Sequence, residues 1–356
     1  MKKLVVAIAV AAAAVSSPAE PGKPYTHLNY LNGPEDFRFA ILPDVQGADF
    51  NGSDYRDGLA RAVRAINLLR PDFAISVGDL IPYGWFREAK VRQQHREFEK
   101  KISGLVPPFY YVVGNHDIAP SQRSPKGLER ANEISTAVWK DVHGSDTYYS
   151  FKYKGCLFVA LNTIDGVTLG SKHQNISDRQ YEWFRRTLAA DPDVRWTFIF
   201  MHQPAVWTTE RWLDFELKNL VNRRYTVFAG DWHQYLHVRR HGRDYYVLSV
   251  AGGGAGWSDS RDNEDRKRLK GPAYGEIDHI TWVTMTGDGP VIANVGLDGV
   301  FAHDFVSQKT TLSLSKANFK WQLDYPVDPS VRKRFEKMKA EQDKSNPPKR
   351  NNPPRH

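Results

Sequence analysis

Seven side chains able to bind a cation stand at five places where an apolar run stops. Phe37–Gln46 ends in Asp44 and Gln46, and Phe73–Val77 runs into Gly78-Asp79. Phe109–Val113 meets Gly114-Asn115-His116-Asp117. Trp196–Met201 is followed by His202, and Tyr225–Ala229 by Gly230-Asp231-Trp232-His233. A buried strand has no structural use for a carboxylate, an amide or an imidazole at its end, and buried charge has to be neutralised. Read singly, Asp44 is a turn aspartate, His202 a satisfied core histidine, and Asn115-His116-Asp117 a turn bonding its own backbone. Read together, three aspartates, two histidines and two amides on one rim point to metal ions. Oxygen donors mixed with imidazole, without thiolate, suit Mn, Fe or Zn held for catalysis better than a structural zinc site.

The elements that would position these residues follow from periodicity. The stretch Phe109–Asp117, aromatic and β-branched behind Pro107-Pro108, reads as a buried strand of a parallel sheet, beyond whose carboxyl end a ligand would bind. Asp54–Arg70 carries Leu59, Val63, Ile66 and Leu69 at amphipathic-helix spacing and is closed by Pro71. Helical periods follow over 86–103, 128–142 and 211–221. Tyr148–Tyr153 and Cys156–Leu161 read as a hairpin. Ser177-x-x-Gln180 reads as a capping box opening another helix. After residue 234 short alternating strands take over: 235–240, 244–250, 280–286, 290–295 and 299–305. An α/β half followed by a β-rich half predicts an α/β fold of four layers, α/β/β/α, with two mixed sheets face to face and helices outside.

The ends of the chain read differently. Lys2 and Lys3, the apolar run Leu4–Val15 and small residues at Ser16 and Ala19 describe a secretory signal peptide over 1–19, too short for a spanning helix of about 20 apolar residues. Residues 20–36 read as a linker, 37–306 as the functional domain, and 307–356 as an extension. Of the formal net charge of +8, six units fall between Arg332 and His356, where nine Lys or Arg meet three acids in a Pro- and Asn-rich tail. That tail is read as disordered, and beyond it no nucleic-acid partner is indicated. Cys156 is the only cysteine, so no intramolecular disulfide is expected, and its apolar neighbours describe an inert buried thiol.

In this order the blocks Asp44-x-Gln46, Gly78-Asp79, Gly114-Asn-His-Asp117, His202 and Gly230-Asp-x-His233 resemble those of the calcineurin-like metallophosphoesterases, over residues 37 to about 306. The family pattern is D-x-H, G-D-x-x-D, G-N-H-D/E, a lone H and G-H-x-H. The resemblance implies a β-sandwich flanked by helices and two divalent ions. Asp44, Gln46, Asp79 and His233 would hold one ion; Asp79, Asn115, His202 and Asp231 would hold the other. It implies hydrolysis of phosphate mono- or diesters by a metal-bridging hydroxide. His116 would be the proton donor, oriented by Asp117, and the substrate a small phosphoester. No serine or cysteine nucleophile stands at the strand ends, which agrees. The sequence departs from the pattern at Gln46, Pro82 and Asp231, where histidine, aspartate and histidine are usual. Two hard oxygen donors in place of two imidazoles favour Mn²⁺ over Zn²⁺. For Asp231 the alternative is a bond to a ligand histidine instead of the metal. For the whole chain the alternative is a non-catalytic metal- or phosphate-binding module. Tyr83, the loop 164–176 with His173, Gly252–Gly254, Trp207, Trp232 and Trp257 are weaker candidates for lining the site.

Overall fold

The computed structural model describes residues 35–45, 58–82, 87–118, 125–166, 176–205, 210–240, 242–252, 277–297 and 300–301. The leader, most of the linker, Gln46, Tyr83, His173, Trp207, Trp257 and the basic tail lie outside them. Among the described residues no helix is long and apolar enough to cross a membrane.

Two six-stranded mixed sheets face each other. The first is built from β1 (Phe37–Leu42), β2 (Phe73–Ser76), β3 (Phe109–Tyr110), β10 (His279–Thr286), β11 (Gly289–Gly296) and β12 (Val300–Phe301), in the order β12-β11-β10-β1-β2-β3. β1, β2 and β3 are parallel, while β10 runs antiparallel to β1 with Phe37 opposite Met285. The second sheet holds β4 (Tyr149–Tyr153), β5 (Cys156–Leu161), β6 (Trp196–Met201), β7 (Tyr225–Ala229), β8 (Leu236–Arg240) and β9 (Arg243–Val247), ordered β4-β5-β6-β7-β9-β8. Helices α1 (Gly58–Leu69), α2 (Glu88–Ile102) and α3 (Pro125–His143) cross between or follow strands of the first sheet; α4 (Asp178–Ala190) and α5 (Glu210–Asn219) serve the second.

Alternation along the strands sorts the core into three layers. Phe39 and Ile41 of β1 point between the sheets, while Ala40 and Leu42 point to the helices. Between the sheets Phe39 stacks on Phe73 at 5.2 Å and meets Phe198 edge-on at 5.1 Å. Each such ring removed from water contributes about 1.5–3 kcal/mol. Outside the first sheet, Val63, Ile66, Val91, Phe98 and Trp139 cover Ala40, Leu42 and Ala74. Outside the second, Tyr181, Phe184, Trp212 and Phe215 cover Val159, Ile199 and Val227. The α/β class and the helix-flanked double sheet are as the periodicity predicts.

Three local expectations differ. Phe109–Val113 is not a central strand: only Phe109 and Tyr110 pair, at the sheet edge, and both are half-buried. Leu69 ends α1 exposed, because Leu59, Ala62, Val63 and Ile66 already complete its buried stripe. Ser177 does cap α4, accepting from the Gln180 amide at 3.2 Å, but the reciprocal half of the box is missing. The Gln180 side chain instead brackets the Asn162 backbone, and Asp165 accepts from the Ser177 amide. The short strands of the β-rich half divide between the two sheets: β8 and β9 extend the second, while β10 to β12 return to the first beside β1. Cys156 is fully buried, and burial pushes its thiol up to about 11, as an inert core residue requires.

Candidate metal centre

The carboxyl ends of β1, β2, β6 and β7 open on one rim, and a few backbone bonds lock them together. Asp44 makes a parallel bridge to Val250, and Ala251 donates to the Asp44 carbonyl at 2.9 Å. Asp231 N–H reaches across from the second sheet to Asp44 Oδ2 at 2.9 Å, and Gly230 N–H bonds the His202 carbonyl at 2.8 Å. The amide of Val45 donates to the Asp79 carbonyl at 3.3 Å. Residues far apart in sequence are thereby packed within reach of a single ion. One ligand atom each of Asp44, Asp79 and His233, all buried, lies within 4.8 Å of the others.

His202 joins this group from the second sheet. Its Nδ1 stands 2.8 Å from the Val77 carbonyl, which can only accept, so the ring carries its proton there. Nε2 is then turned toward Asp79 Oδ1 at 3.1 Å and Asp231 Oδ1 at 3.6 Å. His233 Nε2 lies 3.3 Å from Asp44 Oδ2.

Electrostatics describe the same convergence. Burial opposes charge on His202, yet Asp79 and Asp44 raise its pKa well above the ordinary range. His233 is likewise raised, against burial, by the hydrogen bond and charge of Asp44. Burial raises Asp44 despite the neighbouring His202 and His233, whereas Asp79, equally buried, is held well below the ordinary carboxylate range by His202 and His116. Carboxylates that draw protons onto two buried imidazoles would draw a cation in the same way. Asp44 Oδ1, Asn115 Oδ1 and His202 Nε2 are buried atoms without a closed hydrogen bond among the described residues. An amide oxygen, a carboxylate oxygen and an imidazole nitrogen left in that condition form a donor set that fits a hard or borderline divalent ion.

The backbone is strained at the same places. Among the described residues five non-glycine positions have positive φ, and three of them are Asp79 (55°), Asp231 (69°) and His233 (52°). Such strain gathers at functional sites. The glycines before the ligands are needed for closeness more than for turning. A Cβ on Gly114 would sit 2.1 Å from Asp79 Oδ1, and one on Gly230 would sit 2.2 Å from Asp44 Oδ1. Only Gly78, at φ 101°, also has a conformation that side chains rarely adopt.

The Asn115-His116-Asp117 turn needs one correction. Asp117 does not orient the His116 ring. Its carboxylate accepts four backbone N–H groups, from Gly114 (2.7 Å), Asp79 (2.9 Å), Leu80 (2.9 Å) and Ile81 (3.2 Å). Burial and the nearby Asp79 charge raise the Asp117 pKa, and the amides of Gly114 and Leu80 pull it back. Asp117 therefore ties the turn to the Asp79 loop and is a positioning group. The His116 ring is held by the Pro82 carbonyl against Nδ1, which leaves Nε2 facing Asp79 Oδ2 at 3.9 Å. Because that contact uses the backbone, losing the usual aspartate at Pro82 does not remove it.

Gln46 lies outside the described residues, so its place beside Asp44 is not part of this geometry. Trp232 is half-buried and packs against the second sheet's outer core, away from the role of an aromatic rim. Sequence reasoning missed the Val77 carbonyl behind His202, and Ser249, whose hydroxyl bonds the His233 carbonyl at 3.0 Å. A backbone acceptor and a lone serine carry no signal in one sequence. Positive φ outside glycine carries none either.

Comparison with known proteins agrees with this geometry. The calcineurin-like phosphoesterase family profile matches residues 37–248, more than half of the chain. A curated protein of Arcobacter nitrofigilis, named a probable glycerophosphodiester phosphodiesterase GpdQ, is 24% identical over 198 residues, covering 54% of this chain and 66% of that protein. Among solved structures, a dimetal phosphatase from Danio rerio superposes with a TM-score of 0.51 at 16% identity, covering 76% of this chain and 99% of the other. The purple acid phosphatase PPD1 of yellow lupin gives 0.50 at 15% identity, covering 78% of this chain and 55% of its own. At such identities the two structures speak for the fold. The chain belongs to the calcineurin-like phosphoesterase family.

Proposed function

We propose that the chain is an exported, metal-dependent phosphoesterase acting on small phosphate mono- or diesters. The observation that carries this is the meeting of Asp44, Asp79 and His233 within 4.8 Å, with His202 Nε2 3.1 Å from Asp79. Asp44, Gln46, Asp79 and His233 would hold one divalent ion and Asp79, Asn115, His202 and Asp231 the other, Asp79 serving both. The distance of 3.6 Å from Asp231 Oδ1 to His202 Nε2 suits either a shared ion or a bond to the histidine. Bound there, divalent ions supply Lewis acidity toward phosphoryl oxygens and lower the pKa of water.

The chain's own residues do the rest. Asp117 fixes the turn that presents Asn115 and His116 to the rim. The Pro82 carbonyl accepts from His116 Nδ1–H and turns Nε2 to the reacting side; with a proton on both ring nitrogens, Nε2 donates one to the departing oxygen and keeps the Nδ1 bond. Manganese is favoured over zinc, because Asp231 and Gln46 replace nitrogen donors by hard oxygens. Export rests on the leader-like residues 1–19.

The test is a metal analysis of purified protein together with p-nitrophenyl phosphate and its bis-ester as substrates. Metal-dependent release of nitrophenolate from either is expected, with higher turnover in Mn²⁺ than in Zn²⁺. Bound metal without hydrolysis of any phosphoester would favour the non-catalytic module.

A further inference from the structure

One short crossing, Leu248–Gly252, ties the two sheets together at the rim. It starts in the second sheet, where the Leu248 amide donates to the Ala229 carbonyl at the end of β7 at 2.7 Å. It ends in the first, where Val250 makes parallel bridges to Asp44 and Asp278, the residues just beyond β1 and just before β10. The Ala251 amide then holds the Asp44 carbonyl at 2.9 Å, and the Gly252 amide bonds Asp278 Oδ1 at 2.9 Å. Gly252 is wedged against the first residue of α1, since a Cβ added to it would sit 2.3 Å from the Gly58 Cα. From Leu248 to Ala251 the crossing is fully buried.

Leu248, Val250 and Ala251 are apolar, as burial requires, and Ser249 is the one polar side chain among them. A buried hydroxyl is unfavourable unless it is hydrogen-bonded. Here both of its roles are forced by its partners. The His233 carbonyl can only accept, so Oγ–H donates to it at 3.0 Å; the Ile277 amide can only donate, so Oγ accepts from it at 3.2 Å. A serine buried at a strand end is most simply a satisfied packing residue. What sets this one apart is the carbonyl it holds. His233 has a left-handed φ of 52°, two residues after Asp231 at 69°. Such backbone persists only where surrounding bonds over-determine it. The same residue turns its Nε2 to Asp44 Oδ2 at 3.3 Å. The crossing thus holds both members of that pair, Asp44 through the Ala251 amide and His233 through the Ser249 hydroxyl. Backbone alone serves Asp44; the hold on His233 depends on the side chain.

We propose that Ser249 is a positioning residue for His233, setting the spacing of His233 and Asp44 across the two sheets and thereby the affinity for the divalent ion they share. This rests on the reading of His233 and Asp44 as ligands of one ion. Ser249 touches neither the ion nor the substrate and acts only through the His233 backbone.

The test is calorimetric titration of the metal-free full chain with Mn²⁺, in the parent, Ser249→Ala, His233→Ala and the double variant. Ser249→Ala is expected to weaken one of two sites by about 10–100-fold, the range for losing a group that orients a metal ligand, and to leave the other as it was. In the His233→Ala background the same change should have no further effect on Mn²⁺ affinity, because the residue it acts through is gone. Ser249→Cys, close in volume and a weaker donor, should fall between the parent and Ser249→Ala. Thr281→Val removes another fully buried hydroxyl bond, 3.0 Å to Asn294 Oδ1 on the neighbouring strand, and should melt earlier with Mn²⁺ binding intact. Unchanged affinity in Ser249→Ala, or a loss of equal size with and without His233, would overturn the proposal and leave His233 a ligand. An equal loss in Thr281→Val would also overturn it, as general loosening of the fold. Parent-like Mn²⁺ binding by His233→Ala would instead remove the ligand reading, and this proposal with it.

Discussion

His202 Nε2 and Asp79 Oδ1 stand 3.1 Å apart although they end strands of different sheets. The bond from His202 Nδ1–H to the Val77 carbonyl fixes this approach, because Val77 and Asp79 belong to the same loop. An ion held by these two residues would therefore join the two sheets at their rim. His202→Ala should retain one ion and lose the second. Titration of metal-free protein with Mn²⁺, read by calorimetry, would show one tight site in the variant. Unchanged stoichiometry and affinity would remove His202 from the ligand set.

His116→Ala is expected to lower kcat by about 10²–10⁴-fold, the range for loss of a general acid. Metal content should not change, since the ring faces Asp79 at 3.9 Å and is held by a backbone carbonyl. The deficit should be larger for an alkyl ester than for a p-nitrophenyl ester, whose leaving group needs little protonation. An equal deficit for both would make His116 a binding group.

Gly114→Ala and Gly230→Ala place a methyl group 2.1 and 2.2 Å from the carboxylate oxygens of Asp79 and Asp44. Overpacking of this kind costs about 1–3 kcal/mol. Both variants should lose metal affinity and melt earlier, while Gly104→Ala, which meets nothing within 4 Å, changes neither. Full metal binding in Gly114→Ala would mean that Asp79 has room to move.

Acid should weaken the fold through His279. Burial pushes His279 down to about 4. Above the ordinary value near 6.5 neither state gains a proton, so the stability is fully present. Below it the unfolded chain binds a proton that the folded chain refuses. Stability then falls by up to about 1.4 kcal/mol per pH unit until the folded value is reached. Denaturant unfolding at stepwise lower pH checks this. His279→Gln should flatten part of the fall, and an identical slope would contradict the assignment.

The strands were legible because their residues had to be buried on both faces. Runs such as Cys156–Leu161 and Tyr225–Ala229 are buried at every position, and the polar residues that follow stand out against them. Pairing partners were not legible. Nothing local in His279–Thr286 says that it returns to β1, because that choice depends on which edge remains open once the other strands have paired. The ligand types were visible, but the use of Asp117 was not. Three of its four amide donors come from one loop 36–38 residues away and the fourth from its own turn, and side-chain chemistry alone cannot tell a carboxylate facing an imidazole from one facing backbone.

The central claim is that one rim gathers donors from both sheets around a pair of cations. Its most direct measurement is the metal stoichiometry of the purified full chain after equilibration with Mn²⁺ and removal of free ion. Two ions per chain are predicted, with loss of both sites' tight binding in Asp79→Asn. A chain that retains no metal, and whose Asp79→Asn variant behaves as the parent does, would contradict it.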